Sequence, residues 1–304
     1  MKKIALDSLE FFRGCVTPGV RMNEDLLNFY NESEVRLIRA KAASGVQIAF
    51  TTDAVEMEYA IVFGAPARRV YTSEITINGE NTVVEGEGPH KFTMAPGEKT
   101  VLIQLPHLVV INEMSVSLND GAFVKAPPRR AKKLLFCGDS IMQGMTCTSP
   151  GKAVGVLLAD KLGMELHNTS VGGAEMRFEV VEATLAIGGD VIVVGFGIND
   201  TAHKVPHELF RERTAKVLQL LSRFSGKAFI VVPIPCMNVE DEQYNSYCQI
   251  IKEEQQKFPD VTLIEGSSFY PHKAEYFVDG THPNDEGMKI YADALEKIMV
   301  PVLK

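Results

Sequence analysis

No apolar run in the 304 residues approaches the roughly 20 that a membrane-spanning helix needs, so no membrane partner is expected. Basic residues are not in excess: 31 Lys and Arg stand against 39 Asp and Glu, a formal charge of −8. Nucleic-acid binding rests largely on basic electrostatics, so that class is set aside. Cysteine is sparse. Cys15, Cys137, Cys147, Cys236 and Cys248 are odd in number and widely spaced, and no C-x-x-C occurs. Free thiols in a reducing cytoplasm fit this pattern best, with Cys137 and Cys236 as small core residues at strand ends. No H-E-x-x-H or His/Cys cluster suggests a metal. The opening MKKIALDSLEFF returns to polar side chains at Asp7 and Ser8, too soon for the apolar region of a signal peptide. A cytoplasmic location is the expectation. The glycosylation triplets at Asn31, Asn168 and Asn199 carry no meaning without secretion.

What is present has the composition of a globular protein, and its length allows one large core or two ordinary ones. Residues 1–128 alternate with period two. Val46, Ile48 and Phe50 interleave with Gln47, Ala49 and Thr51; Val55, Met57, Tyr59, Ile61 and Phe63 interleave with Glu56, Glu58 and Ala60; Met114, Val116 and Leu118 interleave with Ser115 and Ser117. One apolar and one polar face marks antiparallel sheet. Asn78-Gly79, Pro96-Gly97 and Asp120-Gly121 supply turns, and few helical windows intervene. The expectation is an all-β sandwich, jelly-roll-like, as an accessory domain.

The segment APPRRAKK, residues 126–133, reads as a linker. Beyond it, in a domain taken as 129–304, the rhythm changes. Apolar runs at Leu134–Cys137, Leu166–Ser170, Val191–Phe196, Phe229–Pro233 and Val261–Ile264 alternate with helical patterns near 152–162, 176–186, 206–224, 241–257 and 284–298. Such repetition predicts a parallel sheet covered on both faces, with ligands at the carboxyl ends of its strands. The first strand runs into Gly138-Asp139-Ser140 at such an end.

A serine hydroxyl is a weak nucleophile and needs a base, an orienter for that base, and donors for an oxyanion. VDGTHPNDEG near the C-terminus places Asp279 three residues before His282, a spacing that lets a carboxylate hold the imidazole on a tight turn, with Asn284 or Asp285 as helix cap. The third strand ends in Gly197-Ile198-Asn199-Asp200, where the Asn199 amide can point at an oxyanion. Gly173 follows the second strand and offers an unobstructed N–H; the N–H of Ser140 is a third donor. Taken singly, each block is an ordinary turn or cap; together, at the ends of successive elements, they point to chemistry.

These blocks resemble those of the SGNH/GDSL hydrolases: Gly138, Asp139 and Ser140; Asn168 and Gly173; Gly197, Asn199 and Asp200; Asp279 and His282, in the family's order. Ile141 stands where leucine is usual. The resemblance implies Ser140 as nucleophile, His282 as general base, Asp279 as its orienter, and Ser140, Gly173 and Asn199 as the oxyanion hole. It implies a flavodoxin-like three-layer α/β/α domain and no cofactor. The order of an N-terminal β-sandwich and such a domain is similar to that of two-domain carbohydrate acetylesterases. The expected function is hydrolysis of short acyl esters, O-acetyl on a carbohydrate, with a small-molecule or oligosaccharide substrate. Acyl transfer, a lipase or phospholipase activity, and a glycan-binding module are the rivals.

Gln143, Arg177 and His203 flank the expected cleft and are the candidate substrate contacts, with a surface-loop role as the alternative for His203. Met142, Met145, Met176 and Phe178 flank it too, with packing the simpler role. His167 is read as a structural strand residue, and Cys147 has no base of its own to make it a rival nucleophile.

Overall fold

The computed structural model describes residues 1–6, 8–270 and 274–304. The period-two segments form two antiparallel sheets, with strands numbered along the chain. One sheet runs β1 (Lys2–Lys3), β9 (Val109–Leu118), β4 (Glu56–Pro66), β7 (His90–Thr93). The other runs β10 (Val124–Lys125), β3 (Gln47–Thr52), β8 (Lys99–Gln104), β5 (Thr72–Ile77), β6 (Glu80–Glu85), with β2 (Phe12–Arg13) also paired to β3. Ile48 and Phe50 face Met57, Tyr59, Ile61 and Val116 across a shared core. Strand β4 alternates buried and less buried positions, as period two requires. Strand β3 does not: Ala49 and Thr51, expected on a polar face, are buried. Part of that face is turned toward the second half of the chain, where Gln47 and Ala49 line a cleft of about 210 Å³ with Val156, Ala159 and Leu166.

Few helical windows are legible in residues 1–128, yet two short helices form there. Helix α1 (Glu24–Tyr30) is capped by the Asn23 side chain and α2 (Glu34–Lys41) by Ser33. At seven and eight residues each is too short to show a clear 3.6 period or to stand alone in water. Packing holds α1, whose Leu26 and Tyr30 are buried in the core of the α/β half.

The strand–helix repeats build one parallel sheet in the order β12 (Glu165–Asn168), β11 (Lys133–Gly138), β13 (Val191–Gly195), β14 (Lys227–Val232), β15 (Thr262–Glu265). All four pairings are parallel. Alternate residues of β11 serve opposite cores. Leu134 and Phe136 pack with residues of α4 (Val154–Leu162) and α9 (Asp285–Leu303). Leu135 and Cys137 pack with residues of α5 (Phe178–Leu185), α7 (His207–Ser222) and α8 (Asp241–Gln255). The result is the expected three-layer α/β/α arrangement beside an antiparallel β-sandwich. Strand order reverses at β11, so its carboxyl end is a topological switch point. Two short helices stand at such ends: α3 (Ser140–Gln143) after β11 and α6 (Ile198–Ala202) after β13. Thr169 and Ser170, expected within the second strand, lie just past it. Among the described residues no helix is long and apolar enough to cross a membrane.

The segment 126–133 is firmly anchored. Arg129 donates to Glu165 Oε1 (2.7 Å) and to the carbonyls of Leu9 and Phe12; Arg130 donates to Asp160 Oδ1 and to the carbonyls of Ala159 and Met164. A deeper tie is Arg21, 1% exposed. Its guanidinium donates to the carbonyls of Ala42 (2.6 Å), Arg39 (2.7 Å), Asn168 (2.7 Å) and Ser170 (3.0 Å), joining the N-terminal half to the loop after β12. Arg21→Ala leaves four carbonyls without that donor. The expected outcome is a loss of about 3 kcal/mol or more, read as a lower urea midpoint at unchanged slope.

Candidate active site

Strand β11 ends at Gly138, where the close approach of β13 admits no side chain: a Cβ there would collide with the carbonyl oxygen of Gly195 and with Met142. Asp139 then caps α3, its Oδ1 accepting the N–H of Ile141 at 3.0 Å. Gly144, at φ +81°, ends the helix one turn later. The local sequence therefore holds Ser140 at the carboxyl edge of the sheet on one turn of helix. Burial pushes the Asp139 carboxyl up to about 7, reinforced by the charge of Asp200 and opposed by N–H groups of the turn.

The base arrives from the far end of the chain. Residues 277–283 close a turn in which Val278 N–H donates to the His282 carbonyl and Phe277 bridges Pro283. Asp279 Oδ1 accepts the N–H groups of Thr281 (3.1 Å) and His282 (2.9 Å). Both Asp279 oxygens lie on His282 Nδ1, at 3.0 and 2.9 Å. With Nδ1–H donating there, Nε2 is left to accept, and it lies 2.8 Å from Ser140 Oγ. Partial burial works to raise the Asp279 carboxyl, but the N–H, ring and charge of His282 outweigh it and hold the group below its ordinary value. Thr146 Oγ1 donates to the Pro283 carbonyl at 2.7 Å, fastening the turn to the loop after α3. Asn284, rather than Asp285, caps α9 by accepting the N–H of Gly287.

Gly173 and Asn199 close the third side. Asn199 Nδ2 donates one hydrogen to the Ala174 carbonyl at 2.9 Å, and among the described residues nothing accepts the second. Asp200 Oδ2 accepts the N–H of Met176 at 2.9 Å, a second tie between the same loops. Gly173 takes φ +80°, where a side chain is strained. Among the described residues nothing accepts from the N–H of Ser140 or of Gly173.

The three candidate contacts fare differently. Gln143 is fully buried, and its amide is spent inside the protein: Nε2 donates to the Arg39 carbonyl (2.8 Å) and Ser44 Oγ, while Oε1 accepts the N–H of Gly172 (2.7 Å). There it braces the Gly172–Gly173 loop. Its place at the end of α3 aims it at the N-terminal half, which the sequence pattern alone does not place there. Arg177 pairs with Glu179 and lies over the ring of Phe29. His203 is half-exposed and pairs with Glu175. Neither hydrogen-bonds to Ser140 or His282. Met142, Met145 and Met176 are buried. His167 Nε2–H donates to the Arg21 carbonyl (2.6 Å), a structural bond. Cys147 is buried, its thiol pushed up by that burial.

Two participants have no signature in the sequence. Asn238, from the loop after β14, donates to the Asp279 carbonyl (2.6 Å) and Thr281 Oγ1 (2.9 Å), bracing the histidine turn. Beside it an open depression of about 810 Å³ is lined by Lys204, Asn238, Glu240, Glu242 and Gln243 among others. Arg39, from α2, donates through Nη1 to the Gly172 carbonyl at 2.8 Å. Only the fold brings either to the site.

The chain is similar to several solved structures. One is described as a GDSL-like lipase from Bacteroides ovatus (TM-score 0.78, 20% identity, 95% of both chains covered). A second is a salicylyl-acyltransferase from a tetracycline biosynthetic pathway (TM-score 0.78, 19% identity, 96% and 94% covered). A third is a family two carbohydrate esterase from Clostridium thermocellum in complex with cellohexaose (TM-score 0.66, 13% identity, 86% and 93% covered). At these identities the likeness is one of fold. No curated protein matches the sequence. The model of the GDSL-like lipase/acylhydrolase family matches residues 136–290, from the end of β11 into α9. That stretch is just over half of the chain and carries every block singled out above, so this protein belongs to the GDSL-like lipase/acylhydrolase family.

Proposed function

We infer that the protein hydrolyses short acyl esters, O-acetyl groups on a carbohydrate, through Ser140, His282 and Asp279. The observation that carries this is the 2.8 Å separation of Ser140 Oγ and His282 Nε2, with Asp279 on the other ring nitrogen. Ser140 Oγ attacks the ester carbonyl carbon as its proton passes to Nε2. The carbonyl oxygen becomes an oxyanion and receives the N–H groups of Ser140 and Gly173 and the second Nδ2 hydrogen of Asn199. The C–O bond to the alcohol breaks and the alcohol takes the proton from Nε2. Water then attacks the acyl-enzyme, with Nε2 as base, releasing the acid and restoring Ser140. Asp279 keeps its negative charge throughout and stabilises the imidazolium.

Residues 129–304 would supply this chemistry and residues 1–128 an accessory sandwich. A polar alcohol fits the depression beside Asn238, whose lining of Lys204, Glu240, Glu242 and Gln243 suits hydroxyl groups. The test is a series of 4-nitrophenyl esters together with acetylated oligosaccharides. The kcat/KM is expected to fall about tenfold or more between acetyl and octanoyl. Rising rates with chain length would replace this reading with a lipase. Ester formed on an added sugar, in place of free acetate, would replace it with an acyltransferase.

A further inference from the structure

Arg39 stands at the junction of the two halves of the chain. Its carbonyl accepts from Gln143 Nε2, three residues beyond Ser140, and its Nη1 donates to Gly172. A Cβ placed on Gly173 would lie 3.0 Å from that Nη1, so the guanidinium lies against the residue that offers the oxyanion N–H. The side chain is only half-buried, yet its Nε is shut away from solvent with no acceptor. Among the described residues no carboxylate pairs with Arg39 or with Arg68, which follows β4. Burial, then the positive charges of Arg68 and Arg36, make Arg39 hold its proton less firmly than usual. Of these neighbours Arg36 alone has an acidic partner, Glu32 at 2.9 Å. In a chain whose charge is −8, Arg39 lies against the Gly172–Gly173 loop and Arg68 is close enough for its charge to act on Arg39, an uncompensated pair suited to an anion.

We propose that Arg39, with Arg68, is a specificity determinant that receives an anionic oxyacid group, a carboxylate, on the ester substrate. The planar fork of Arg39 has donors left over after Gly172, suited to a carboxylate oxygen. The sandwich half thereby selects which ester the α/β half cleaves. This inference rests on the assignment of Ser140 as nucleophile, and its test separates the two.

Two matched pairs of substrates read it. 4-Acetoxybenzoate against 4-acetoxybenzamide places the charge on the alcohol; the half-ester 4-nitrophenyl adipate against 4-nitrophenyl hexanoate places it on the acyl group. The protein is expected to favour the charged member of one pair by about tenfold or more in kcat/KM, and the pair that responds locates the charge. Arg39→Gln and Arg68→Gln each lower that ratio several-fold, and Arg39→Lys lowers it less than Arg39→Gln. Taking the ratio within one variant removes any loss from misfolding. Because Arg39 also braces Gly172, Arg68→Gln, which removes no described hydrogen bond, is the second line. Equal rates within both pairs overturn the proposal, as does a preference that survives both glutamine variants. Calorimetric titration of Ser140→Ala with the charged and neutral members reads the same preference without turnover. Hydrolysis that persists in Ser140→Ala would refute the nucleophile and leave this titration as the measure of the anion site.

Discussion

Ser140→Ala is expected to lower kcat on 4-nitrophenyl acetate by about 10⁴-fold or more, measured at saturating ester and neutral pH. The size follows from the geometry. Among the described residues Ser140 Oγ is the one hydroxyl within hydrogen-bonding distance of the His282 ring, and its proton has a ready acceptor in Nε2. Cys147, close to Ser140 in sequence, offers no substitute: it is buried and its thiol is held protonated. His282→Ala produces a loss of similar order, because an unassisted serine is a poor nucleophile at neutral pH. The double variant Ser140→Ala/His282→Ala falls little further than either single one, since the two act as a unit and are not additive. Asp279→Asn keeps the turn but loses the negative charge that faces Nδ1 at 2.9 Å, so its loss is expected to be somewhat smaller than the others. Wild-type rates in Ser140→Ala would end the assignment.

The α/β half was legible because its signals are local. A parallel strand buried on both faces must be apolar throughout, and Leu134 to Cys137 and Val191 to Val194 are. The Asp-x-x-His turn is also local: Asp279 and His282 meet within four residues. What joins His282 to Ser140, across 142 positions, is the winding of the sheet and not any spacing in the sequence. Most of the less legible features cross between halves. Gln143 looked free to meet substrate, because nothing in its neighbours says that Arg39, Ser44 and Gly172 surround it. Ala49 and Thr51 looked like an outer face, because the chain that covers part of that face comes a hundred residues later. Helices α1 and α2 were too short for periodicity, though the caps Asn23 and Ser33 stand in the sequence and mark both starts. Arg21, which pairs with no carboxylate among the described residues, gives no sign in the sequence that it is buried among four carbonyls.

Asn199→Ala is expected to lower kcat by about 10²–10³-fold with little change in KM, measured on the same ester. The donor contributes where charge develops, so it binds the oxyanion more strongly than the ground-state carbonyl, and its removal falls on kcat. The amide is already aimed: one Nδ2 hydrogen is fixed on the Ala174 carbonyl, which leaves the other in a set direction with no reorganisation required. Gly197 at φ +122° starts the short helix that carries Asn199, and Asp200 beside it is tied to Met176, so the loop is held from both sides of the amide. Asn199→Asp discriminates between donation and mere space-filling. It preserves the shape of the side chain but turns a carboxylate oxygen toward both the Ala174 carbonyl and the nascent oxyanion. If donation is what matters, the aspartate variant is at least as slow as the alanine one; if only packing matters, it is nearly as fast as wild type. Gly173 admits no comparable test, because a Cβ there meets Arg39 Nη1 at 3.0 Å and the backbone sits at φ +80°, so Gly173→Ala would disturb the loop and the donor at once.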